Sequence, residues 1–501
     1  MFYNINIRWY NIVVKNIGVN MDKKLVKNYI YSVLYQLLLV FTPFITTPYL
    51  TRVLGLELLS INTFTANLVQ WFVLFGMMGV NTYGNREIAK VRDDKQLLSR
   101  TFFEIFAMQF CSMCISSIVY AIFFSFQEES LKIYLLLQSI TLLSVALDIT
   151  WFFYGVEDFK KASIRNMLVK IVGIALIFIF VRSTDDLIKF ILINTIVGVC
   201  GQLIMWAQLK QYVSFVPISF KGVLRHFKPN ISLFIPQIAI SVYSVLDITM
   251  LGYLGPDRDE VNLYEQAQKF VKMFLFFITS IGSVMLPRVT NVYHNGKIEQ
   301  VNNYLNKTFK FALYMAIPMI FGIAGVIQNF VDWFLPASYY PVGMMIKVTS
   351  PIILFISLSN VFGTQYMVPT GDIKHYTYSV VSAAILNFIV NFSLIPYFGA
   401  YGAIAGSLCA ELSVTLIQYY FIHKKIRLTI SIKELVIIVI SSILMGITVG
   451  FVGNLGCNFF VNILQVGSGL LIYVILLFVL KADFFMELLS SIRQRGLNNN
   501  G

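Results

Sequence analysis

Apolar runs of about 18 residues or more recur along almost the whole chain, and the connections between them are short. A helix rising 1.5 Å per residue needs about 20 apolar residues to cross a bilayer. The runs lie near 28–50, 58–82, 101–126, 133–155, 166–182, 187–209, 231–252, 262–286, 308–333, 341–366, 376–397, 401–422, 435–453 and 459–480. They predict an all-α integral membrane protein with about fourteen transmembrane helices. Composition agrees: 57% of the residues are hydrophobic and 13% are charged, about half the charged share of a soluble domain. An ordinary soluble enzyme is excluded.

The basic residues set the orientation. With the N-terminus cytoplasmic, alternate connections collect nearly all of the Lys and Arg, as in Lys23, Lys24 and Lys27, Arg86 to Arg100, Lys160 to Arg165, Lys210 to Lys228 and Lys424 to Lys433. The opposite connections hold only Arg52, Lys132, Arg182, Lys189, Arg258 and Lys347. Such a bias places both termini in the cytoplasm. The formal charge of +13 is therefore orientation, and no basic patch points to nucleic acid. The first run is too long for the apolar stretch of a cleavable signal, and Met21-Asp-Lys-Lys is the expected physiological start.

Cys111, Cys114, Cys200, Cys409 and Cys457 lie in or beside apolar runs, with no CxxC pair followed by a second pair downstream, and are expected to be small core residues. All four histidines lie in connections. No catalytic residues, metal ligands or cofactor are expected, and no GxxxxGK[ST] phosphate loop occurs.

A faint repeat runs through the chain. Tyr49-Leu-Thr-Arg-Val-Leu-Gly55 matches Met250-Leu-Gly-Tyr-Leu-Gly255, Gly79 and Arg86 match Gly282 and Arg288, and Ser99-Arg-Thr-Phe102 matches Asn306-Lys-Thr-Phe309. An offset of six helices gives parallel repeats. The expected organisation is a cytoplasmic segment 1–27, six-helix bundles at 28–215 and 216–430, two added helices at 431–481 and a cytoplasmic tail 482–501.

A charge on a lipid-facing helix costs roughly 2.5–3.5 kcal/mol, so Asp148, Lys170, Asp247, Lys269 and Lys272 should face protein or water. Glu265, Lys269 and Lys272 share one helix face, with Gln266 and Gln268 beside them. The hairpin brings Asp247 near that face, where it pairs with Lys269 or lines a cavity whose lysines attract an anion. Asp247 is the candidate for proton or cation coupling. Asp148 and Lys170 are secondary candidates, expected to form an interhelical pair or a snorkelling contact. Pro43, Pro48, Pro236, Pro318 and Pro351 fall inside spans and bend them.

Pro43-Phe-Ile-Thr-Thr-Pro-Tyr-Leu-Thr-Arg-Val-Leu-Gly55, Gly84-Asn-Arg-Glu-Ile-Ala-Lys90, Phe234-Ile-Pro-Gln237, Leu246-Asp-Ile-Thr-Met-Leu-Gly252 and the run Asn391 to Gly406 resemble the polysaccharide repeat-unit flippases of O-antigen and capsule export. The resemblance covers most of residues 24–480. It implies a fold like that of the multidrug and toxin extrusion exporters, placed in the bacterial cytoplasmic membrane. It also implies an oligosaccharide joined by diphosphate to undecaprenol as substrate, with polymerase and glycosyltransferases as partners. Under it Lys269, Lys272, Arg52, Arg86, Gln237 and Gln266 are the substrate-binding candidates. The alternatives are a cation-coupled exporter of drugs or metabolites, a flippase for peptidoglycan-precursor lipid and a non-transporting membrane scaffold.

Overall fold

The computed structural model describes residues 23–498. Among these, every regular element is helical. In chain order they are α1 (Lys23–Val53), α2 (Gly55–Met77), α3 (Val80–Val91), α4 (Lys95–Ser125), α5 (Glu129–Gln138), α6 (Ile140–Ala146), α7 (Thr150–Gly155), α8 (Phe159–Phe180) and α9 (Leu187–Leu209). Then come α10 (Phe220–Leu254), α11 (Glu260–His294), α12 (Ile298–Phe334), α13 (Pro341–Thr349), α14 (Ile352–Ser359), α15 (Ile373–Phe398), α16 (Ala400–Ile422), α17 (Ile432–Gly453), α18 (Phe459–Val479) and α19 (Asp483–Asn498). A π-helix, Asn360–Met367, continues α14.

Among the described residues, ten helical stretches are long and apolar enough to cross a membrane, and eleven if a pair bent by 46° counts as one. The other three expected spans fall on α1, α10 and α11, of 31, 35 and 35 residues. The protein is a multi-pass membrane protein. Its helices leave Ile115, Ile118, Leu416, Leu470 and many similar side chains exposed, as lipid contact allows.

By contact the chain divides into two units. Unit 1 comprises the described residues through Thr46 together with Phe72–Phe234, and unit 2 comprises Thr47–Trp71 and the chain from Ile235 onward. The expected division into bundles follows the repeat; the division by contact instead assigns 47–71 to unit 2 and 216–234 to unit 1.

Unit 1 is built around stacked aromatic rings. Phe102 of α4 lies 5.6 Å from Trp151 and 6.0 Å from Trp206, and Trp151, Phe152 and Phe153 are fully buried. A side chain at Gly84 would strike Trp151, its Cβ only 2.5 Å from the ring. The expected fourth span is broken into α5, α6 and α7, which frees carbonyls in an environment without water. Gln109 of α4 answers them: its Nε2 lies 3.2, 3.3 and 2.9 Å from the carbonyls of Val145, Ala146 and Asp148. Its Oε1 accepts from Trp151 Nε1 at 2.9 Å. Gln109→Leu removes this donor, leaving the Val145 carbonyl to the Asp148 amide at 3.0 Å and the Asp148 carbonyl to Trp151 Nε1 at 3.2 Å, and is expected to cost about 1 kcal/mol; thermal unfolding in detergent checks it, and an unchanged Tm contradicts this role.

In unit 2, α12, α17 and α18 share a core of Leu313, Ile317, Ile438, Met445, Val449, Tyr473 and Leu477. Small residues let backbones approach, as where a Cβ on Gly325 would lie 2.9 Å from the Gly446 carbonyl. Buried Glu434 accepts from Tyr314 at 2.9 Å and from the Phe484 amide at 3.0 Å, tying α17 to α12 and α19. Pro351 stands at the break between α13 and α14, so its effect is the 46° bend of the tenth expected span. The α15–α16 turn requires glycine, because Gly399 has φ +52° and any Cβ there would overlap the Glu260 carboxylate. That carboxylate accepts from the Ala400 amide at 2.6 Å.

The five cysteines correct an expectation. All are free, but all are exposed. In a soluble core a small apolar residue is buried, whereas on a membrane helix it is equally suited to lipid.

Candidate functional site

Unit 2 encloses a cavity of about 470 Å³. Its walls come from α10 (Tyr243, Asp247), α11 (Tyr264, Glu265, Gln268, Lys269, Lys272), α14 (Ile352, Ile356) and α16 (Ser407, Glu411). Charged side chains in so apolar a bundle are costly, and the structure shows how each is accommodated.

Asp247 is 2% exposed. Its Oδ1 accepts from Asn387 Nδ2 at 2.9 Å and from Asn391 Nδ2 at 2.6 Å. Its Oδ2 accepts from Tyr264 at 2.6 Å and from Ser407 at 2.6 Å. Tyr264 in turn accepts from Gln268 at 3.0 Å. Four donors replace the hydration shell of a carboxylate, which is what burial demands. Asn391 Oδ1 has no partner among the described residues, and a Cβ at Gly406 would fall 1.9 Å from it, so the glycine makes room for this amide. Two amide nitrogens, of Asn387 and Asn391, and two hydroxyls, of Tyr264 and Ser407, thus donate to one carboxylate, an arrangement that holds a buried negative charge.

Lys269 does not pair with Asp247. It bridges to Glu265 at 2.9 Å, one turn back on its own helix, and Thr63 donates to the other Glu265 oxygen at 2.8 Å. The same-helix partner wins because an i, i+4 reach needs no movement of α10. Lys272 lines the cavity with no ion pair or hydrogen bond among the described residues. Glu411 is 6% exposed and accepts from Tyr243 at 2.9 Å. The lining thus carries three carboxylates against two ammonium groups. The cavity is not simply basic.

The remaining candidates lie elsewhere. Arg52, in unit 2, donates to the Pro48 carbonyl at 2.9 Å and the Trp333 carbonyl at 3.2 Å, joining two helix ends. Arg86, in unit 1, pairs with Glu87 at 3.0 Å. Gln266 is buried beside Asn262, at 3.5 Å, and is not part of the cavity lining. The side chain of Gln237 lies outside the described residues. In unit 1, Asp148 accepts from the Thr150 amide at 2.9 Å, and Lys170 lies on α8.

Sequence reasoning missed Asn387, Asn391, Ser407 and Glu411. The two asparagines were findable, since they stand one turn apart on a single face of an otherwise apolar span. It also missed two buried charges in unit 1. Arg165, 7% exposed, donates to Gln202 at 2.8 Å, Thr150 at 3.2 Å and Asn166 at 2.6 Å. Glu104, fully buried, accepts from Arg225 at 2.6 Å and Arg100 at 3.1 Å, with His226 Nε2 at 3.2 Å. Burial pushes the His226 imidazole below its ordinary range, and Arg225 acts in the same direction while Glu104 opposes it.

Comparison with known proteins places this geometry. A putative O-antigen transporter of Shigella dysenteriae is 24% identical over 380 residues, 75% of this chain and 94% of that protein. A putative O-antigen transporter of Escherichia coli K12 is 23% identical over 405 residues, 79% of this chain and 96% of that protein. Among solved structures, the lipid II flippase MurJ in its inward closed conformation superposes with a TM-score of 0.72 at 16% identity, covering 93% of this chain and all of that one. That likeness establishes the fold. Residues 233–393 match the MatE family, and residues 25–292 match the family described as polysaccharide biosynthesis protein. With more than half of its length so matched, the chain belongs to the polysaccharide biosynthesis protein family, and the relatives named above are transporters.

Proposed function

We infer that this chain is a flippase that moves an oligosaccharide carried on a polyprenyl diphosphate from the inner to the outer leaflet of a bacterial cytoplasmic membrane. The observation that carries this reading is the likeness, over nearly their whole length, to two proteins named as O-antigen transporters. The charged cavity inside an apolar bundle supports it. A glycan head group cannot cross hydrocarbon unaided, whereas its lipid tail can stay there. Lys272, together with Lys269 where Glu265 releases it, suits a diphosphate as a point charge. Alternation of two six-helix bundles at 28–215 and 216–430, with 431–481 as an added pair, would expose the cavity to each side in turn. Asp247 is the coupling residue in this scheme, accepting a proton or another cation at its carboxylate. Both termini face the cytoplasm, and polymerase and glycosyltransferases are the expected partners.

The test is genetic. A strain lacking the gene is expected to lose surface polysaccharide and to accumulate lipid-linked repeat units on the inner leaflet. Intact surface polysaccharide with raised drug sensitivity would instead favour the multidrug exporter. Within this reading, Lys269→Gln together with Lys272→Gln should lower export about tenfold or more, measured as surface polysaccharide at equal protein level; unchanged export would remove these lysines from the path.

A further inference from the structure

The charge balance of the cavity limits how an anion can occupy it. Asp247, Glu265 and Glu411 face Lys269 and Lys272, so the lining is formally one charge negative. A diphosphate diester brings two more negative charges. Three uncompensated charges around one cavity of about 470 Å³ are strongly unfavourable, because unit charges about 4 Å apart repel by about 4 kcal/mol even at an effective dielectric constant near 20. Something positive has to enter with the head group.

The lining residues differ in their capacity to take it. Both oxygens of Asp247 are occupied by two donors each, so a proton there requires a donor to leave. Glu265 is held by Lys269 and Thr63. Glu411 accepts one described hydrogen bond, from Tyr243 to Oε1, and its second oxygen has no partner among the described residues. The positive group that bears on it is Lys272, which lines the same cavity and acts electrostatically on both Glu411 and Glu265. The other titratable groups bearing on Glu411 are Tyr243 and Asp247 of α10 and Tyr376 of α15; α14 presents Ile352 and Ile356. A diphosphate that takes Lys272 therefore removes the countercharge of Glu411 and leaves a buried carboxylate with an open oxygen.

We propose that Glu411 is a proton-uptake site linked to substrate: each diphosphate head group bound at Lys272 draws one proton from water onto the Glu411 carboxylate. This rests on the flippase reading and adds to it a defined exchange. The balance is closed: one O–H bond forms on Glu411, and no redox partner is needed.

The experiment uses the full-length protein in detergent and, as probe, a short-chain polyprenyl diphosphate esterified to N-acetylglucosamine, whose diester does not titrate across neutral pH. Calorimetry in buffers of different ionisation enthalpy reads the protons exchanged. About one proton taken up per bound head group is expected, with affinity falling by up to tenfold per pH unit as pH rises. In Glu411→Gln the uptake and the pH dependence should both vanish while binding persists. Infrared difference spectra of the unmodified protein give a second readout, since loading should produce a protonated-carboxyl C=O band. Uptake that survives Glu411→Gln, or binding with neither uptake nor that band, overturns the proposal and leaves the flippase reading standing. No binding of the probe at any pH contradicts the flippase reading itself, and this inference with it.

Discussion

Asp247→Asn is expected to reduce export at least tenfold while leaving the protein folded, inserted and no less stable. The structure gives both halves of that expectation. A carboxylate 2% exposed is stabilised by four donors on three other helices, Tyr264, Asn387, Asn391 and Ser407. An amide keeps the volume and part of the hydrogen bonding but carries no charge to desolvate, so stability is held or raised. The loss is functional, because a neutral amide neither binds a proton nor balances a cation. Transport measured at several pH values separates this from a structural role. A low rate is expected at every pH, with no acceleration by an imposed ion gradient. Wild-type rates with an unchanged pH dependence would remove Asp247 from coupling, and a lower Tm with proportionate loss of protein would make it a structural residue.

Lys272→Glu should have the next largest effect. It takes a cavity with three carboxylates and two ammonium groups to four carboxylates and one. For a phosphate about 4 Å away, reversing one charge swings the interaction by roughly twice the 4 kcal/mol expected at an effective dielectric constant near 20. Water in the cavity reduces that, yet binding of a polyprenyl diphosphate should still weaken about a hundredfold or more. The substitution lies at an exposed position, so the fold should tolerate it. Equal affinity of the two proteins for the same probe would place the head group elsewhere.

The membrane-spanning architecture was legible because a bilayer demands long apolar runs and penalises charge, and both leave plain marks in a sequence. The lysines on α11 stood out for the same reason. What sequence could not supply was the path of the backbone within a run. Hydropathy alone reads residues 133–155 as one helix; Gln109, satisfying the carbonyls of Val145, Ala146 and Asp148 from α4, and Trp206, donating to the Leu147 carbonyl at 2.9 Å, make the break tolerable, and both are distant in sequence. Pro351 was visible as a source of bending, and the bend is there. The sequence left Asp247 either paired with Lys269 or lining a cavity; Lys269 bridges to Glu265 one turn away, because side-chain reach favours the local acid. Glu411 was passed over inside the apolar run Ala400–Ile422, although a lone carboxylate in such a run is itself a functional marker. Asn387 and Asn391 carry no charge, so a search for charge alone could not find them.

The most direct test of the account is transbilayer movement in purified form. Proteoliposomes containing only this protein and a labelled undecaprenyl-diphosphate oligosaccharide, initially on one leaflet, should expose the glycan to an impermeant modifying enzyme on the opposite side. An imposed ion gradient should accelerate this, and Asp247→Asn should abolish the acceleration. Glycan that stays inaccessible in liposomes whose protein is folded and binds the lipid would contradict the assignment of this chain as a flippase.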